Sequence, residues 1–136
     1  MSYSTSATTK GGREGRARLD DGGLALAMGS PKEIGGAGDG HNPEQLFALG
    51  YSACFAGALG LVASQRKADV SNAKITCRAT IGKEDGGFGL AFEIDVVIPG
   101  MAQDQAQELV DAAHGVCPYS KAFKNGAPSI AKAQAD

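Results

Sequence analysis

The chain has 136 residues, 20 of them glycine and none tryptophan, with 13 basic and 15 acidic side chains giving a net charge of −2. Leu, Ile, Val and Phe together fill 26 positions, about 19% of the chain, so large side chains for a core are scarce. The near-neutral balance excludes a highly charged disordered tail and a basic nucleic-acid binder, and the glycines follow no collagen period. What remains is a single domain over residues 1–136 whose modest core leans on a partner subunit.

The opening MSYSTSATTK carries no apolar stretch of the signal-peptide type. The three cysteines have no CxxC spacing, and His41 and His114 lie far apart. This argues against a secreted disulfide scaffold and against a closed zinc site. A cytoplasmic location with reduced or catalytic thiols is expected.

Strands are predicted at 15–20 and 24–28, flanking the hairpin signal Asp21-Gly22-Gly23. The glycine-rich loop 34–40 lacks the Gly-Lys-Ser/Thr ending of a phosphate-binding loop and is no dinucleotide fingerprint. A charge-free run, 45–65, then reaches the length at which a membrane span is weighed. Its three glycines, two serines and a tyrosine make it weakly hydrophobic, and a helix covered by a sheet or a second subunit explains it better. That helix starts sharply. Asn42 suits the N-cap, Pro43 the first helical position and Gln45 the capping-box position. It is expected to end near Arg66.

Two further strands, 75–81 and 88–98, alternate apolar and polar residues around Asp85-Gly86-Gly87, and Pro99-Gly100 ends them. A second helix is expected over 102–114, stopped by Gly115. The order of elements reads as α+β, with antiparallel sheet against helices.

Among the chemistry-bearing residues, Cys54 sits mid-helix on a face with Phe47, Gly50, Tyr51, Gly57, Ala58 and Leu61. It reads either as a small buried hydrophobe or as a nucleophile in an apolar pocket. The pocket alone would raise its pKa, so a thiolate there needs a cation or donors nearby. Cys117, beside Pro118, is expected on a loop from which it could approach another thiol; a dyad with His114 is a weak reading. Cys77 points with Ile75, Ala79 and Ile81 toward the core. Arg13 stands among glycines, and Glu44 at a helix start is favoured by the helix dipole.

Residues 11–17 (GGREGRA), 31–55 (PKEIGGAGDGHNPEQLFALGYSACF), 86–90 (GGFGL) and 114–120 (HGVCPYS) occur in an order and spacing that resembles the organic hydroperoxide resistance proteins of the Ohr/OsmC family. The resemblance covers nearly the whole chain, and the VCPYS form favours that branch over the OsmC branch. It implies the Ohr/OsmC-like fold, with antiparallel sheets on a long central helix, and an intertwined homodimer with active sites at the subunit interface. It further implies a thiol-dependent peroxidase in which Cys54 is the peroxidatic cysteine, Cys117 the resolving one, Arg13 the activating cation and Glu44 its acidic partner. Organic hydroperoxides, fatty-acid ones included, would be the substrates. Dihydrolipoamide on a lipoylated protein would be the reductant, with no metal, haem or flavin bound.

Phe47, Tyr51, Phe55 and Met101 are expected, from spacing and composition, to receive the organic tail. A non-catalytic redox sensor or a small-molecule binder using the same thiol pocket is the alternative. On one continuous helix Glu44 and Cys54 are about 15 Å apart along the axis, so the Arg13–Glu44 pair is expected to serve Cys54 of the other subunit.

The chain also departs from the family pattern. His41 stands where the family usually has Thr, and Cys77 is additional. Residues 2–10 make a weak opening strand, and 127–136 (APSIAKAQAD) are poor material for the family's closing strand.

Overall fold

The computed structural model describes residues 1–134. Its order is β1 (Ala7–Lys10), β2 (Arg16–Leu19), β3 (Ala25–Ala27), α1 (Pro43–Gln65), β4 (Lys74–Glu84), β5 (Gly87–Val97), α2 (Gln103–Val116) and α3 (Pro118–Asn125). The chain clusters into two compact units. One comprises Met1–Phe47 with Ala79–Leu90, and the other Ala48–Arg78 with the chain from Ala91 onward.

In the first unit β1, β2 and β3 form an antiparallel sheet in that order. Lys10 pairs with Arg16, and Arg16 in turn with Ala27. Alternation along β2 leaves Arg16 and Arg18 exposed while Ala17 and Leu19 are half-buried. Asp20 accepts the hydroxyls of Ser6 and Thr8 at 2.6 and 2.8 Å, which fastens the opening strand to the hairpin. The chain then leaves β3 through a backbone bridge between Met28 and His41. A Cβ on Gly40 would come within 2.6 Å of the Gly29 nitrogen, so this close backbone approach requires glycine. His41 thus acts through its backbone, and its side chain is exposed.

The bridge delivers the chain into the start of α1. There the Gln45 N–H donates to Asn42 Oδ1 at 2.9 Å, and the Asn42 N–H donates to Gln45 Oε1 at 3.0 Å. This is the reciprocal capping box expected from the sequence. The far end closes as a Schellman motif: the Ala68 N–H reaches the Ala63 carbonyl, the Lys67 N–H reaches that of Ser64, and Lys67 adopts φ 55°.

In the second unit α1 supplies most of the core. Tyr51, Phe55, Ala58, Leu59, Val62 and Ala63 bury against Ile98, Leu109, Ala113 and Cys117. The opposite side of α1 carries Leu49 (68% exposed), Ala53, Gly57 and Leu61 (55% exposed). A Cβ on Gly57 or Gly60 would meet nothing within 4 Å. The helix is long and apolar enough to cross a membrane, with mean hydropathy 1.8 over its best 18 residues, and a third of that stretch is buried within the chain.

β4 and β5 form a two-stranded hairpin turning at Asp85-Gly86, where Gly86 takes φ 86°. Ile75 and Cys77 from β4, with Phe92, Ile94 and Val96 from β5, pack their inner faces on the α1 core.

At the C-terminal side Gly115 does not stop α2, which continues to Val116. Cys117 is non-helical beside Pro118, as expected, but it is a single residue between α2 and the unforeseen helix α3, with ψ 123°. The physical reason is Pro118. Its ring drives the preceding residue out of the helical region, while its own φ suits the first position of a new helix. The family's closing strand is absent from residues 127–134, which form no regular element; residues 135 and 136 lie outside the described part.

Candidate active site

The first unit holds an ion pair. Arg13 sits in a one-turn 3-10 segment, Gly12–Glu14, entered through Gly11 at φ 86°. Its guanidinium donates to both oxygens of Glu44, Nη2 to Oε1 at 2.7 Å and Nη1 to Oε2 at 3.1 Å. The two parallel bonds fix the guanidinium plane as well as its position. The hydrogen bond from Arg13 holds the Glu44 carboxyl below its ordinary pKa against the opposing effect of burial, and the same bond raises that of Arg13. Glu14 turns the other way, and its Oε1 accepts the backbone N–H of Ser30 at 3.2 Å.

The second unit holds the thiols. Cys54 Sγ and Cys117 Sγ are 3.5 Å apart, both as free thiols. Cys117 is completely buried and Cys54 half-buried. Burial pushes the Cys54 thiol above its ordinary pKa, the backbone N–H of Tyr119 pulls it down, and the contact with Cys117 pushes it up again. Tyr119 is the second residue of α3, where helical N–H groups have no partner within the helix. The helix break at Cys117 therefore does two things: it buries one sulfur beside the other, and it brings the Tyr119 N–H to Cys54.

Around the sulfurs lies an aromatic cluster. The Tyr51 ring is 5.7 Å from Phe92, 5.8 Å from Tyr119 and 5.3 Å from Phe123, and Phe92 stacks on Phe123 at 4.3 Å. A Cβ on Gly50 would come within 2.9 Å of the Tyr119 hydroxyl, so this glycine makes room for that ring. A cleft of about 270 Å³ is lined by Tyr51, Phe55, Phe92, Ile94, Val110, Asp111 and His114. Tyr51 and Phe55 thus line the cleft, Met101 packs against the core cluster, and Phe47 belongs to the first unit. Cys77 also packs on the core, and burial raises its thiol pKa. Among the described residues no group of three or more His, Cys, Asp or Glu side chains is arranged to hold a metal ion.

Sequence reasoning missed Phe92, Phe123, Ser120 and the amide of Tyr119. The proline after Cys117, followed by Tyr, Ser and Phe at helical spacing, was the available signal for α3.

Comparison with known proteins agrees with this arrangement. A family model described as OsmC-like protein matches residues 36–131. An organic hydroperoxide resistance protein of Xanthomonas axonopodis pv. citri is 50% identical over 124 residues, covering 90% of this chain and 87% of that one. The crystal structure of an organic hydroperoxide resistance protein from Elizabethkingia anophelis superposes with TM-score 0.85 at 45% identity, covering 92% of this chain and 91% of that one. One from Legionella pneumophila does so with TM-score 0.85 at 40% identity and 91% coverage of each. The chain belongs to the OsmC-like family, in its organic hydroperoxide resistance branch.

Proposed function

We propose that the chain is a cysteine peroxidase that reduces organic hydroperoxides to alcohols. The observation that carries this reading is the Cys54–Cys117 pair, two reduced sulfurs at 3.5 Å, one of them supplied with a backbone donor. The Cys54 thiolate attacks the terminal oxygen of ROOH. The O–O bond breaks, Cys54 becomes a sulfenic acid, and the alkoxide leaves and takes a proton as ROH. The Cys117 thiol then condenses with the sulfenic acid, forming the disulfide and releasing water. A dihydrolipoyl group, as a dithiol, supplies two electrons to re-open the disulfide. The aromatic lining around Tyr51 and Phe55 suits an apolar R group.

Burial raises the Cys54 pKa, and among the described residues one backbone donor, the Tyr119 N–H, opposes this. A cation is needed to favour the thiolate and to steady the departing alkoxide. In this reading the enzyme is a cytoplasmic homodimer in which the Arg13–Glu44 pair of one protomer serves Cys54 of its partner. Two observations support it. The exposed Leu49–Leu61 side of α1 is apolar and free of charge, and α1 is one continuous helix whose rise separates positions 44 and 54 by about 15 Å.

The same raised thiol pKa favours a second reading, a slow redox sensor that forms the disulfide without efficient turnover. The test is steady-state consumption of cumene hydroperoxide with dihydrolipoamide. Sustained turnover, abolished in Cys54→Ser, is expected. A single stoichiometric oxidation without turnover would identify the sensor, and undiminished consumption by Cys54→Ser would exclude both.

A further inference from the structure

Ser120 is 2% exposed, and its hydroxyl oxygen stands 2.8 Å from the Tyr51 hydroxyl and 2.9 Å from His114 Nδ1. Tyr51 is buried too, at 3%, whereas His114 is exposed and lines the cleft. Three groups therefore run in hydrogen-bonded sequence from the surface to the interior. Each lies three residues from a reactive sulfur in the chain: Tyr51 before Cys54 on α1, His114 before Cys117 at the end of α2, and Ser120 after Cys117 on α3. Tyr51 and Cys54 share a face of α1, and Tyr51 and Cys117 lie in one buried cluster on which Cys54 packs. Burial raises the Tyr51 phenol pKa. The Ser120 hydrogen bond opposes that, while charge on Cys117, Cys77 or Cys54 adds to it, as expected of sulfurs close by.

A serine hydroxyl carries one proton and two lone pairs. When His114 Nδ1 accepts, the chain points from Tyr51 through Ser120 to His114. When Nδ1–H donates, every bond reverses and the Tyr51 O–H is left to donate onward. Reversal moves one proton from the imidazolium at the surface to the inner end, with no water entering and neither hydroxyl ending ionised.

We propose that His114, Ser120 and Tyr51 form a proton wire between solvent and the Cys54–Cys117 pair, and that it protonates the buried Cys117 sulfur when a dithiol re-opens the disulfide. This rests on the reading that the pair cycles through a disulfide. A dithiol thiolate attacks Cys54 Sγ, the more accessible sulfur, and the S–S bond breaks. Cys117 leaves as a thiolate and takes the Tyr51 proton, Tyr51 takes that of Ser120, and Ser120 that of His114 Nδ1. The second thiol of the reductant, losing its proton to solvent, then displaces Cys54 as a thiolate and closes the reductant's own disulfide. Two electrons pass from dithiol to protein, and His114 regains its proton from solvent. Of the groups facing His114 in the cleft, α1 offers Tyr51 and Phe55, β5 offers Phe92 and Ile94, and α2 offers Val110 and Asp111, of which Asp111 is the charged one.

The test starts from protein oxidised to the Cys54–Cys117 disulfide with diamide, so it needs no peroxidase activity. Opening by dithiothreitol is followed in a single turnover by acid quench and intact mass. Ser120→Ala is expected to slow opening about tenfold or more, within the range of positioned acid–base groups, and Ser120→Thr, which keeps the hydroxyl, to restore it to within about threefold. His114→Ala, at an exposed site that threatens the fold least, is expected to be slow and to recover with added imidazole. Wild-type opening in Ser120→Ala, Ser120→Thr as slow as Ser120→Ala, or His114→Ala unresponsive to imidazole would each overturn the wire and leave the peroxidase reading standing. A wild-type protein inert to organic hydroperoxide but showing the full variant pattern would overturn that reading and leave the wire.

Discussion

The sulfurs of Cys54 and Cys117 stand 3.5 Å apart although 63 residues separate them in the chain. The proximity depends on one backbone feature, the extended conformation of Cys117 between two helices. A continuous helix through residues 117 and 118 would lose a hydrogen bond at the proline and clash there, so the break is dictated locally. The buried corner is then held by Ser120, which Tyr51 and His114 both reach.

The first prediction follows from that geometry. With Cys117→Ser, one equivalent of hydroperoxide still oxidises Cys54, but no sulfur is in place to capture the sulfenic acid. Excess peroxide then carries Cys54 to the sulfinic state, a gain of two oxygens in the intact mass. Wild type is expected to stop at the loss of two hydrogens. Recovery of the two-hydrogen loss in Cys117→Ser would mean that Cys77 or another chain resolves Cys54.

A second prediction isolates the donor that α3 offers. Proline in the first turn of a helix removes an N–H that has no helical acceptor, so Tyr119→Pro deletes the bond to Cys54, while its ring also presses Pro118 toward extended backbone as Pro118 does Cys117. Tyr119→Ala removes the same ring and keeps the N–H. Hydrogen bonds to charged groups contribute about 1.5–3 kcal/mol, or about one to two pKa units. The Cys54 thiol, followed by its rate of alkylation against pH, is expected to titrate higher in Tyr119→Pro than in Tyr119→Ala. Equal profiles would remove the amide from the account.

The helix start was legible because a capping box is a local pattern: Asn42, Pro43 and Gln45 dictate their own geometry and need no tertiary partner. The hairpins were legible for the same reason, through Asp-Gly turns and alternation. The end of α2 was set two residues short because Gly115 was read as a stop, when a glycine with neighbours on both sides costs an α-helix only about 1 kcal/mol and α2 absorbs it. The aromatic cluster could not be read at all. Phe92, Tyr119 and Phe123 meet Tyr51 only once β5 and α3 have docked, and no periodicity within one element records a meeting between three.

The Arg13–Glu44 pair supports a third prediction, in which the sign matters. Glu44 has a lowered pKa in the folded chain, so the pair's contribution is present above the ordinary carboxylate range and is lost as the pH falls through the lowered value. The thiol moves the other way, since burial raises Cys54. Under the proposed dimer the partner's Arg13 is expected to bring reactivity down toward neutral pH, and Arg13→Ala to shift the profile to alkaline pH. A mixed dimer of Cys54→Ser and Arg13→Ala chains should regain activity, because one of its two sites combines an intact Cys54 with an intact Arg13. No activity in that mixture would show that the arginine acts within its own chain.

The last prediction concerns stability. Lys67 holds the left-handed position of the α1 Schellman motif at φ 55°, where glycine is the unstrained residue. A side chain bearing Cβ costs about 1–2 kcal/mol in that conformation. Glycine returns part of the gain as extra freedom in the unfolded chain, so Lys67→Gly is expected to stabilise by about 0.5–1 kcal/mol. For a chain of this size that is a rise in Tm of about 2–5 °C. Lys67→Val should go the other way, because a β-branched side chain fits a positive φ worst. The Cys54 alkylation rate should be unchanged in both variants, since the motif lies three turns beyond the thiol on α1 and is exposed. If Lys67→Gly melted below wild type, the positive φ would not describe the folded protein, and α1 would have to end by another route than its Ala63 and Ser64 carbonyls.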